Sequence, residues 1–132
     1  MNLKTGWKRL VEVQAMKLSK PIDTYVQAIN AGDAAALQSS FADHAVVKDV
    51  GREFRGIAAI KEWASQEIFA VNVVLEVIDA VESDGRITLK VKIDGTFDRT
   101  GLPDPLLMEH CFTLADDKIV TLNCRLASEG RV

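Results

Sequence analysis

Residues 25–63 read YVQAINAGDAAALQSSFADHAVVKDVGREFRGIAAIKEW, from Tyr25 to Trp63, and their order decides the fold. Ser19 can cap a first helix whose opening turn tolerates Pro21 and favours Asp23. Ile22, Tyr25 or Val26, and Ile29 supply its apolar face. Asn30-Ala31-Gly32 stops it, because glycine adopts the left-handed cap conformation. Asp33 then caps a second helix running through Phe41, with Leu37 and Phe41 inward. Ala45–Val50 is short and β-branched, which predicts a strand. A turn around Gly51 leads to Phe54-Arg55-Gly56 and a third helix from about Ile57 to Phe69, with Ile57, Ile60, Trp63 or Ala64, and Ile68 in one stripe.

Downstream the pattern changes to strands. Val71–Glu82 is long and apolar, and Ser83-Asp84-Gly85 marks a turn. Arg86–Phe97 alternates, with Ile87, Leu89, Val91 and Ile93 on one face and Thr88, Lys90, Lys92 and Asp94 on the other. A loop with Gly101, Pro103 and Pro105 precedes a last hairpin, Leu106–Leu114 and Ile119–Leu126, turning at Asp116-Asp117. Helices first and a strand meander after them predict an α+β domain, an antiparallel sheet curled over about three helices with a pocket between them. That domain spans residues 19–132. Residues 1–18 form an N-terminal extension in which Leu3, Trp7, Leu10 and Val11 recur at helical spacing, either a loosely packed arm or a docking arm carried by Trp7.

Composition narrows the function classes. The 132 residues carry a net charge of −3 with both signs interspersed and no basic stripe, so nucleic acid is not an expected partner. No apolar run approaches the roughly 20 residues of a membrane span, and the N-terminus lacks the apolar core of a secretory signal, so the expectation is a cytoplasmic protein. The two cysteines, Cys111 and Cys124, and the two histidines, His44 and His110, match no metal-ligand spacing and are expected to hold no metal.

Asp49 has an apolar face beside it. It shares strand parity with Val47, so it should project into the same apolar space, where desolvation makes a carboxylate a better proton acceptor. The alternative is a solvent-facing aspartate paired with Arg52 or Arg55. Tyr25, the sole tyrosine, either packs on the core with its hydroxyl at the rim or donates to a developing oxyanion.

The order of elements, with Tyr25-Val26, Asn30-Ala31-Gly32-Asp33, Phe41-Ala42-Asp43-His44-Ala45, Asp49, Phe54-Arg55-Gly56, Ile60, Trp63 and Lys118-Ile119-Val120, resembles the NTF2-like superfamily over roughly Pro21 to Leu126. Within it the resemblance is to the ketosteroid isomerases and SnoaL-like polyketide cyclases. It implies a cone-shaped α+β fold, often a homodimer, binding a hydrophobic small molecule without a cofactor. In such isomerases an aspartate base shuttles a proton while a tyrosine and a protonated aspartic acid stabilise the enolate. By this resemblance Asp49 takes the place of the base and Tyr25 that of the oxyanion donor, with Trp63, Phe41, Val47, Phe54 and Phe112 on the substrate side.

The third position is ambiguous. Aligned by its acid it falls on Glu109, and aligned by strand pattern it falls on His110. A two-residue turn at Asp116-Asp117 sets Glu109 opposite Cys124, whereas a three-residue turn sets His110 opposite Leu122 and Phe112 opposite Val120. Alternation with Met108, Phe112 and Leu114 favours His110 inward, where beside Asp49 it would make an acid/base pair. Valine at position 50, where the family has proline after the base, departs from the isomerase pattern. Two functions follow: proton transfer next to a carbonyl, as in isomerisation or aldol cyclisation, and a non-catalytic binding or dimerisation module.

Overall fold

A computed structural model describes residues 18–83 and 85–127. The expectations for the N-terminal arm, with Leu3, Trp7, Leu10 and Val11, lie outside the described residues. Helix α1 (Lys20–Ala31) ends where Gly32 takes φ 70°, ψ 29°. The Gly32 N–H donates to the Ile29 carbonyl at 3.2 Å and the Asp33 N–H to that of Ala28 at 2.9 Å. Ser19 stands at the N-cap position, yet its side chain makes no capping bond. Asp33 does cap α2 (Ala34–Ser39), its Oδ1 accepting from the Ala36 N–H at 3.0 Å.

Helix α2 is shorter than its apolar pattern suggested. The hydroxyls of Ser39 and Ser40 donate back to the carbonyls of Ala36 and Leu37 at 2.6 and 2.7 Å, occupying acceptors that further helix would need. The Ser40 carbonyl already accepts from Ile119 of the sheet. Phe41 therefore opens strand β1 (Phe41–Asp49) rather than closing a helix. A short strand β2 (Arg52–Arg55), read from sequence as part of a turn, pairs antiparallel with β1. Helix α3 (Ile57–Ala64) continues into a π-helical turn, Ser65–Phe69, whose wider winding buries Ile68 as well as Trp63 and Ala64.

The remaining strands are β3 (Val74–Ser83), β4 (Arg86–Asp94), β5 (Leu106–Ala115) and β6 (Lys118–Leu126). They complete one sheet in the order β2-β1-β6-β5-β4-β3. The sheet is mixed: β1 runs parallel to β6, while every other pair is antiparallel. Its curved inner face closes on the helices in the NTF2-like α+β cone, with Tyr25, Leu37, Ile60, Leu89, Val91, Phe112 and Leu122 fully enclosed between them. Among the described residues no helix is long and apolar enough to cross a membrane.

The β5–β6 hairpin follows neither register read from sequence. Asp116 and Asp117 do form a two-residue turn, with φ 51° and 64°. A bulge then intervenes, since Thr113 faces Thr121 while Leu114 faces Ile119. The shift places His110 opposite Cys124 and Phe112 opposite Leu122.

Candidate functional site

Three adjacent strands carry one row of the site. Cys124 on β6 is paired with Asp49 on β1 to one side and with His110 on β5 to the other. Residues paired across neighbouring strands share a face and lie about 5 Å apart. Asp49, Cys124 and His110 therefore stand in line on the inner face, with α1 and α3 above them. His110 and Asp49 are separated by Cys124 and make no direct acid/base pair. Glu109, one residue along β5, falls on the outer face and pairs with Arg125 Nε at 2.9 Å.

The row opens into a cavity of about 90 Å³ bordered by Tyr25, Asp49, Trp63, Glu67, Met108 and His110, with apolar walls from Ile29, Ile68, Leu75 and Ile93. Asp49 sits at its rim with its side chain 18% exposed. The Trp63 indole N–H donates to Asp49 Oδ2 at 3.0 Å, and Arg52 Nη2 reaches the same oxygen at 3.3 Å. Oδ1 has no donor among the described residues. Asp49 thus borders the cavity rather than facing solvent, and it touches Arg52 as well.

Arg52 is itself held by Glu67 on the π-helical turn, through two bonds of 3.1 Å. This fork draws the Glu67 carboxyl below the usual carboxylate range. The guanidinium lies over the Phe54 ring at 5.4 Å, and Phe54 packs against Trp63 at 6.1 Å.

At the inner end, the Tyr25 hydroxyl and His110 Nδ1 are hydrogen-bonded at 2.9 Å. Burial, reinforced by the neighbouring Cys124 and Asp49, pushes the Tyr25 phenol well above its usual value. Burial also lowers His110 to about 4, so the imidazole is neutral near pH 7. Two neutral groups of this kind carry one O–H and one ring N–H. Their mutual bond uses one of these protons, so one donor is left whichever tautomer is present. Chemically the pair offers one hydrogen-bond donor and no group that titrates near pH 7.

Among the residues assigned to the substrate side, Trp63 borders the cavity and the others stand behind it. Phe41 and Phe112 pack edge-on against the Tyr25 ring at 6.2 and 5.0 Å, and Val47 is wholly buried in the core. Phe54 braces Trp63 from outside. Sequence reasoning missed Glu67 and Cys124. Glu67 depends on the π-helical turn and Cys124 on the parallel β1–β6 pairing, and neither has a local signature. A larger cavity of about 260 Å³ lies among Leu37, Ile57, Ile60, Ala64 and Phe69, but its one charged neighbour is Lys61 and no candidate site residue borders it.

Among solved structures the chain is similar to a candidate polyketide cyclase from Sinorhizobium meliloti, at 27% identity and TM-score 0.75 over 83% of this chain and 97% of that one. The Δ5-3-ketosteroid isomerase of a Mycobacterium species has the same fold at 17% identity and TM-score 0.65, covering 80% and 88%. So does a ketosteroid isomerase-like protein of Catenulispora acidiphila solved with trimethylamine, at 18% and TM-score 0.70, covering 85% and 88%. No curated protein matches at a significant level. The family model of the SnoaL-like domain matches residues 22–122, from the first turn of α1 to the middle of β6, and the chain belongs to that family.

Proposed function

We propose that this protein binds a small carbonyl compound and transfers a proton at the carbon next to the carbonyl, without a cofactor. Asp49 is the base: Oδ1 takes the α-proton, and the C–H electron pair moves toward the carbonyl to give an enolate. The donor left over on the Tyr25–His110 pair meets the enolate oxygen. The enolate then recovers the proton from Asp49 at a conjugated carbon, which is isomerisation, or attacks a second carbonyl whose oxygen takes that proton, which is aldol closure. A preorganised donor of this kind is worth roughly 3 kcal/mol in other enzymes.

The observation that carries the reading is the split environment of Asp49. Its Oδ2 is anchored by Trp63 and Arg52, while Oδ1, at the rim of an apolar cavity, has no donor among the described residues. A candidate cyclase and an isomerase among proteins of similar fold support the reaction class. The test is hydrogen–deuterium exchange at the α-carbon of simple ketones in D2O, followed by NMR. Wild-type protein should accelerate exchange, and Asp49→Asn should lose at least a hundredfold with an unchanged circular dichroism spectrum. Equal rates for the two proteins would sink the proposal.

A second reading, a non-catalytic binding module, is favoured by the same anchoring, since Asp49 already has partners without a substrate. Under it, Asp49→Asn keeps ligand affinity and no exchange occurs in either protein. The expected cytoplasmic homodimer also belongs to this proposal. Light scattering on the purified protein decides whether it is a dimer.

A further inference from the structure

Asn30, on the exposed side of α1, ties that helix to a strand bordering the cavity. Its side-chain amide donates to the Leu75 carbonyl at 2.9 Å, and its Oδ1 accepts from the Leu75 N–H at 2.7 Å. Leu75 belongs to β3, the last strand of the sheet, which among the described residues has a strand neighbour on one side alone. On the helix side the Asn30 amide stands in for a strand, pairing with both backbone groups of one residue. Ile29, next to Asn30, and Leu75 both border the cavity. The two bonds therefore set the separation between opposing walls.

A second tie holds the adjoining wall. The Thr96 N–H donates to the Val71 carbonyl at 2.7 Å, and Asn72 Nδ2 donates to Thr96 Oγ1 at 3.2 Å. Backbones approach so closely here that a Cβ at Gly95 would stand 2.8 Å from the Val71 oxygen. Val73, two residues on from Val71, is thereby fixed beside Leu75 and Ile93, which face each other across β3 and β4.

The cavity, open at the Asp49 rim, holds about 90 Å³, whereas pockets for drug-sized ligands run roughly 300–1,000 Å³. We infer that Asn30 is a specificity-determining residue that limits the site to carbonyl compounds of about one ring and excludes fused polycycles. The inference rests on the reading of the site as a carbonyl pocket and adds the size class of its substrate. Asn30 touches no reacting atom; it acts through Leu75.

The experiment uses three β,γ-unsaturated ketones of one, two and four fused rings. Binding is read from the Trp63 indole N–H signal, identified by its loss in Trp63→Phe. The one-ring enone should shift this signal in wild-type protein, and the four-ring enone should leave it unmoved. Asn30→Ala should gain at least tenfold in affinity for the two-ring enone. Met108→Ala, which widens the cavity without touching the clamp, should gain similarly and covers the case in which Asn30→Ala does not fold. A four-ring enone that binds wild-type protein as tightly as the one-ring compound overturns the size limit. A folded Asn30→Ala protein with wild-type selectivity overturns the role of Asn30. A one-ring enone that binds yet keeps its α-protons removes the proton-transfer reading and leaves the size limit standing. A four-ring enone exchanged under the control of Asp49 does the reverse.

Discussion

The Trp63 indole N–H donates to Asp49 Oδ2 at 3.0 Å, so the cavity wall and the candidate base form one unit. Trp63→Phe retains most of the ring and deletes the donor. A hydrogen bond to a charged group is worth about 1.5–3 kcal/mol, and less where water can substitute at a rim. The expected loss is about 1–2 kcal/mol in urea unfolding. Ketone exchange should fall by about tenfold through a looser carboxylate. Unchanged stability and exchange would reduce Trp63 to a wall.

Stability should fall with acid through His110. Its folded-state value of about 4 lies below the unfolded 6.5, so the unfolded chain takes up a proton first as the pH drops. The contribution of a neutral His110 is complete above pH 6.5 and is lost as the pH falls toward about 4. The gap corresponds to about 3 kcal/mol. Urea midpoints measured at pH 7.5 and pH 4.5 should converge less steeply in His110→Leu than in wild type. Carboxylates such as Glu67, held low by Arg52, weaken both proteins in acid, so the difference between the two is the quantity to read.

How much was legible depended on how local each feature is. The Gly32 cap and the Asp33 N-cap were readable because each is a property of one residue's dihedral angles and its near neighbours. The inward face of Asp49 followed from parity with Val47 within one strand. The end of α2 was misplaced because Phe41 suits either a helix stripe or a strand, and serine bonds to the preceding turn decided between them. Alternation put His110 inward, but its partner across the hairpin depended on a bulge that no turn signal announces. The alignment of Asp49, Cys124 and His110 was least legible, because it needs the parallel pairing of β1 with a strand 69 residues or more away in sequence, as in Val50 bonding Cys124.

The two cysteines should react at different rates. Cys124 is buried in the site and its thiol is pushed well above the usual value by burial and by Asp49, which suppresses the reactive thiolate. Cys111 faces the opposite side of the sheet and is only half-buried. Ellman's reagent on native protein should modify Cys111 first, and Cys111→Ser should abolish the fast phase. The remaining thiol should label at the rate of unfolding. Fast labelling of Cys124 in the native state would contradict its enclosed position.

Tyr25 and His110 should behave as one unit in a double-mutant cycle. Tyr25→Phe strands Nδ1 of a buried imidazole, and His110→Leu strands a buried phenol, since the two groups bond each other at 2.9 Å. Each single change should cost about 1–3 kcal/mol in unfolding free energy, the penalty for an orphaned buried polar group. The double variant replaces both partners by apolar side chains and should cost less than the sum of the singles by at least about 1 kcal/mol. Ketone exchange should fall about a hundredfold in the double variant, which removes both the O–H and the ring N–H and leaves no donor for the enolate oxygen. Additive losses in both readouts would mean that the two residues act independently, and the shared-donor account would be wrong.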